Sequence, residues 1–227
     1  MLYLIIFGFI AISFLVSRRL KSKFKKYSQT PLSSGFSGKE IAERMLNKKG
    51  IHDVQVTCVQ GQLTDHYNPT NKTVNLSQAV YHGRNIAAAA IAAHECGHAV
   101  QHQQAYKWLT LRSAMVPITS ASSKLMNVIF FIAIFGGMSM DFGWEIIMTL
   151  VISAQAILTA FSLITLPVEF DASNRALAWL QNDHIASPVE MNQAEDALKW
   201  AARTYLVAAL ASVTTLLYYV LSMAGDE

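Results

Sequence analysis

The sequence predicts a mainly α fold: a polytopic α-helical membrane protein with about four transmembrane helices and a small cytoplasmic α+β domain. Three observations carry that expectation. Four apolar runs punctuate the chain, basic residues crowd between the first two of them, and residues 35–106 have the mixed texture of a water-facing domain. The composition agrees, with 52% of the 227 residues hydrophobic and only 15% charged, where an ordinary soluble domain carries about a quarter. The same figures exclude a disordered chain, a collagen-like chain and a disulfide scaffold. A net charge of +3 is too small to call for a nucleic-acid partner. Cys58 and Cys96 form no C-x-x-C pair and read as free thiols.

A spanning helix needs about 17–25 mostly apolar residues. Residues 146–168 and 204–223 meet that length outright, whereas 2–16 and 125–140 need polar flanks to complete a crossing. The first run differs from a signal peptide in its charge order: no Lys or Arg precedes it, and SRRLKSKFKK follows it. It is expected to remain as an uncleaved anchor. Fifteen of the eighteen Lys and Arg residues lie in residues 17–124, and the other three, Arg175, Lys199 and Arg203, lie in residues 169–203. Residues 141–145 and the AGDE tail have none, yet they hold four of the fifteen acids. The positive-inside rule therefore places both basic segments in the cytoplasm and the N-terminus and tail outside, which four alternating crossings satisfy. The basic cluster after the first run also suits anionic lipid at the bilayer surface.

Within residues 35–106, Ser37 precedes GKEIAERMLNKKG with Glu40 three residues on, a capping box opening an amphipathic helix that Gly50 closes. Residues 54–59 (VQVTCV) alternate as a strand does. LTDHYNPTNKTVNLS reads as two short strands around an Asn-Pro-Thr-Asn turn. GRNIAAAAIAAHECGHAVQHQQ, rich in Ala and free of Pro, reads as a helix. Residues 21–36 read as a linker, and residues 108–124 as an interfacial or continuing helix. The expected organisation is a first transmembrane helix over residues 1–17 and a catalytic segment over 18–107. A membrane region over 108–227 holds the other three spans and a cytoplasmic loop at 169–203.

The Ala-rich helix carries His94-Glu95-Cys96-Gly97-His98. At about 100° per residue, His94 and His98 lie about 40° apart on one face and one turn apart. Two such imidazoles can bind one Zn2+ at about 2.0–2.1 Å, with Glu95 beside the metal-bound water. Zinc lowers the pKa of that water towards about 7, and Glu95 can take its proton and pass it to a leaving amine. The opposing reading of the run is a buried core helix with two incidental histidines.

Catalytic zinc keeps three protein ligands and one open position. His102 is another turn along, but three ligands on one straight helix are nearly collinear and zinc requires a tetrahedron, so His102 reads as exposed or supporting. His52, His66, His82 and His184 read as surface histidines. Glu169, at the cytoplasmic end of the third apolar run, lies on the same side of the membrane as the histidine pair and is a candidate ligand; it could equally be a solvated carboxylate. Tyr67, His82, Asn174 and Arg175 are open candidates for stabilising a developing oxyanion.

HECGHAVQH, preceded by LTDHYNP, VNLS and AVYHGR and followed by LRSA, VP, LPVEFDAS, RAL and a closing LLYY, resembles the YugP-type neutral zinc metallopeptidases of bacterial membranes. The likeness covers nearly the whole chain, in order. It implies a membrane-bound, gluzincin-like peptidase, so that the small domain would be zincin-like. His94, His98 and Glu169 would be the Zn2+ ligands and Glu95 the general base. A more distant likeness is to the prenyl-protease and HtpX-like membrane zinc peptidases, whose third-ligand Glu is followed four residues later by Asp. This chain departs from that pattern with Ser173, which is expected to give a weaker supporting hydrogen bond, while Asp171 falls roughly opposite Glu169. Cys96 would point away from the histidine face and reads as packing.

The expected activity is hydrolysis of peptide bonds by zinc-activated water at the cytoplasmic membrane surface, on peptide or membrane-protein substrates. The competing expectation is a non-catalytic membrane scaffold or regulator with a structural zinc site, which would have no need of Glu95. A small transporter fits less well, because the apolar runs hold few ionisable residues.

Overall fold

The computed structural model describes residues 2–135 and 143–225. Residues 136–140 of the second apolar run, 141–142 of the expected short loop and 226–227 of the tail lie outside the described residues. The chain is mostly helical, with seven helices and three short strands among those residues. In order they are α1 (Leu2–Tyr27), α2 (Gly38–Lys48), β1 (Gln55–Val59), β2 (His66–Asn68), β3 (Thr73–Ser77), α3 (Gln78–Tyr81), α4 (Ile86–Gln103), α5 (Lys107–Phe135), α6 (Trp144–Asn182) and α7 (Pro188–Gly225).

The chain divides into two compact units. One comprises residues 1–14, 111–166 and 205–227, and the other residues 15–110 and 167–204. Four helices, α1, α5, α6 and α7, are long and apolar enough to cross a membrane by length and composition. In the first unit, α1 turns Tyr3, Leu4, Phe7 and Phe14 outward, as a helix in hydrocarbon would. Within the same unit, Gln155 and Thr159 of α6 meet Ser212 of α7. Gln155 Nε2 donates to Ser212 Oγ at 3.0 Å, and the Thr159 and Ser212 hydroxyls lie 2.8 Å apart. Such polar contacts hold helices together where lipid removes the hydrophobic drive.

The second unit is built on α2, α4 and a three-stranded sheet. Ser37 caps α2: its hydroxyl accepts the Glu40 N–H, and the Glu40 carboxylate accepts the Ser37 N–H at 2.7 Å. The sheet order is β1-β3-β2, with β1 parallel and β2 antiparallel to β3. Val74 and Leu76 of β3 point into the core with Ile41 and Met45 of α2 and the alanines of α4. Alanine is the smallest side chain that still favours a helix, so its run lets α4 lie close against its neighbours. Asn85 opens α4 by accepting the Ala88 N–H at 2.9 Å.

Residues 21–36 and 169–203 hold more helix than their sequence suggests. The presumed linker at residues 21–36 is helical through Tyr27. The Tyr27 hydroxyl donates to Asp196 of α7 at 2.5 Å and Lys23 pairs with the same carboxylate at 2.7 Å, which anchors the last turn of α1. The presumed loop at 169–203 is also largely helical: α6 runs on to Asn182, a short turn follows, and α7 starts at Pro188. Glu190 fixes that start by accepting from Ser187 N–H and from the backbone and hydroxyl of Ser33. Residues 108–124 continue as α5 through an internal Pro117.

Candidate metal centre

His94 and His98 project from one face of α4, one turn apart, with ring centroids 4.8 Å apart and nearly perpendicular planes. α6 lies against this face because Gly97 has no side chain. A Cβ there would stand 2.6 Å from the Ala172 carbonyl oxygen. One turn before Ala172, Glu169 reaches the histidines, its Oε2 3.4 Å from His94 Nε2 and 3.6 Å from His98 Nε2. The three ligand atoms lie within 4.8 Å of one another.

The donor set and spacing fit a metal ion. Two ligand atoms each about 2.0–2.1 Å from a tetrahedral zinc stand about 3.4 Å apart. Glu169 is only 4% exposed, and its Oε2 is buried without a hydrogen-bond partner. A buried carboxylate oxygen in that condition is costly unless a cation answers it. Each histidine uses its other ring nitrogen for support: His94 Nδ1 lies 3.1 Å from Ser173 Oγ, and His98 Nδ1 lies 3.0 Å from Gln101 Oε1. Both Nε2 atoms are thereby aimed at Glu169. Burial lowers the pKa of His98, but the neighbouring Glu169 and Glu95 carboxylates outweigh it and hold the ring above the ordinary histidine value.

Glu95 lies beside the pair, 8% exposed, with Oε2 accepting the Tyr67 N–H at 3.0 Å. Tyr67 belongs to β2, an outer strand of the sheet, so the sheet sets the position of this carboxylate. Nothing in the sequence flagged the Tyr67 amide, because a backbone donor leaves no residue-type signal.

Ser173, expected to give a supporting hydrogen bond to a partner the sequence did not name, lies against His94. His102 stands apart from the three-residue group, exposed, with its Nδ1 2.8 Å from the Tyr67 hydroxyl. The Cys96 thiol is buried against the Ala42 carbonyl oxygen at 3.6 Å, and burial pushes its pKa up, so it remains a packed thiol. Of the oxyanion candidates, Arg175 is tied to Asp171 and Gln104, Tyr67 to His102, and His82 packs on Tyr81, while Asn174 is exposed. Asp171 does not turn idly away from the site: it accepts from Gln101 Nε2 at 2.7 Å. Gln101 itself was missed. Its polar neighbours His102 and Gln103 gave no sign that Gln101 alone of the three is buried.

Two histidines one helical turn apart and a carboxylate from a second helix form a group that could hold a metal ion. The family described as "Putative neutral zinc metallopeptidase" matches residues 2–224, and the chain belongs to that family. The "Putative membrane protease YugP" of Bacillus subtilis (strain 168) is 41% identical over 212 residues, which cover 93% of this chain and 92% of the relative. No solved structure matches the chain.

Proposed function

We propose that the chain is a multi-pass membrane zinc peptidase that hydrolyses peptide bonds at the cytoplasmic membrane surface. The observation that carries this reading is the unpartnered, buried Glu169 Oε2 facing two imidazole Nε2 atoms at ligand-to-ligand spacing. His94, His98 and Glu169 would hold the ion. Zinc bound there supplies a Lewis acid that polarises a carbonyl and acidifies water.

Glu95 is the general base. The Tyr67 N–H holds Oε2, which fixes the carboxylate plane and leaves Oε1 to take the proton of the attacking water. The same oxygen then returns that proton to the amide nitrogen as the C–N bond breaks. Ser173 and Gln101 hold the rings in place while this occurs. Four apolar helices and the crowding of basic residues into 17–124 support a chain that crosses the bilayer four times, with this unit inside. Substrates are peptides or membrane proteins presented at that surface; no nucleic acid is involved.

The test is Glu95→Gln in full-length, detergent-purified protein. Glutamine still offers an oxygen to the Tyr67 N–H, so the fold and about one zinc per chain are retained, while cleavage of casein or of a membrane-protein substrate is lost. Wild-type protein that carries zinc yet cleaves no protein offered to it would favour the scaffold reading.

A further inference from the structure

We infer that Gln101 is a positioning residue that dictates which nitrogen of His98 faces the metal and ties that choice to the helix carrying Glu169; the inference rests on the zinc reading above. Gln101 is fully buried. Its Nε2 donates to the Val168 carbonyl oxygen at 2.8 Å and to Asp171 Oδ2 at 2.7 Å. Both partners are acceptors only, so the amide cannot be turned round. Its Oε1 must therefore face His98, 3.0 Å from Nδ1. An amide oxygen accepts and never donates, so Nδ1 carries a ring hydrogen, which leaves Nε2 as the nitrogen that would face a metal.

The amide is locked in turn. Arg175 Nε donates to Asp171 Oδ2 at 2.5 Å, which keeps that carboxylate an acceptor, and the Arg175 guanidinium donates to Gln104 Oε1 at 2.6 Å. The chain of contacts runs from Gln104, which caps the end of α4, to Arg175 and Asp171 of α6 and back to α4 at Gln101. Val168, the other acceptor, is the immediate neighbour of Glu169. One side chain thus sets the tautomer of one ligand and the backbone position beside another. His94 has no equivalent, because the Ser173 hydroxyl can donate or accept and so selects neither tautomer.

The experiment measures Zn2+ affinity by chelator competition, and the visible spectrum of the Co2+-substituted protein, on full-length detergent-purified chains. Gln101→Met, close in volume but without polar atoms, is expected to weaken Zn2+ binding about 10–100-fold and to shift the Co2+ band, since its geometry follows ligand orientation. Asp171→Ala, at a half-buried position, is expected to weaken binding several-fold alone and to add nothing in the Gln101→Met background. A purely structural role would lower thermal stability without moving the Co2+ band. Wild-type affinity in Gln101→Met, or losses that add in the double variant, would overturn the inference. If Gln101→Met does not fold, Asp171→Ala decides: unchanged affinity and spectrum overturn it. Loss of Zn2+ in Glu169→Ala with none in Gln101→Met leaves the zinc reading standing and overturns this inference alone. A wild-type chain that takes up no Zn2+ overturns both.

Discussion

Gly97 is where the candidate metal centre is open to a single-atom perturbation. Gly97→Ala adds one Cβ at 2.6 Å from the Ala172 carbonyl oxygen, 3.1 Å from its Cα and 3.2 Å from its carbonyl carbon. All three are backbone atoms, so no side chain can swing aside. To restore ordinary contact the two helices must separate by about 0.8 Å there. Glu169 sits one turn from Ala172 and moves with it, whereas metal–ligand distances tolerate only about 0.2 Å. Two effects on stability compete. Alanine in place of glycine favours a helix by about 1 kcal/mol, and overpacking costs about 1–3 kcal/mol, so the net expectation is a loss of about 0–2 kcal/mol. Zn2+ affinity should fall at least about tenfold, the scale on which displaced ligand geometry acts. Chelator competition and thermal unfolding of the zinc-free protein measure the two terms separately. Gly8→Ala is the control, since nothing lies within 4 Å of a Cβ there. Wild-type affinity and stability in Gly97→Ala would refute the argument that this glycine sets the approach of α6.

The ligand assignment predicts that Glu169→Ala lowers the zinc content of purified protein and that His102→Ala leaves it unchanged; the reverse result would remove Glu169 from the centre. Burial pushes the Asp196 carboxyl up, but hydrogen bonds and charge from Lys23 and Tyr27 outweigh it and hold the group below its ordinary range. Its contribution is therefore present above the ordinary aspartate pKa and lost as pH falls through the lowered value. Asp196→Asn should cost about 1 kcal/mol or less at neutral pH, given partial solvent screening, and the difference in thermal unfolding should vanish once the pH falls below that lowered value. The proposed orientation predicts that alkaline phosphatase fused after Gly225 is active, because that enzyme matures only outside the cytoplasm; an inactive fusion that is nevertheless expressed would contradict it.

Much of the local structure was legible in the residues. The capping box at Ser37 and Glu40, the alternation in VQVTCV and the Ala-rich run before His94 each act over a few positions, and each element formed where its pattern lies. The histidine pair was legible for the same reason: a helix turn fixes the relation of His94 to His98. The extent of α1 was not legible, because a Lys- and Ser-rich stretch looks like a linker until Asp196, from the far end of the chain, grips Tyr27 and Lys23.

By itself, then, the sequence determined the apolar helices, three short strands and two imidazoles on one face of a helix, all of which follow from periodicity and short-range hydrogen bonding. Tertiary structure alone decided that a bare Cα at Gly97 lets α6 come close enough for Glu169 to meet them. It alone also joined Gln101 to Asp171, 70 residues away. The physical reason is that coordination and tautomer depend on tenths of an ångström between helices, and no local pattern encodes that distance.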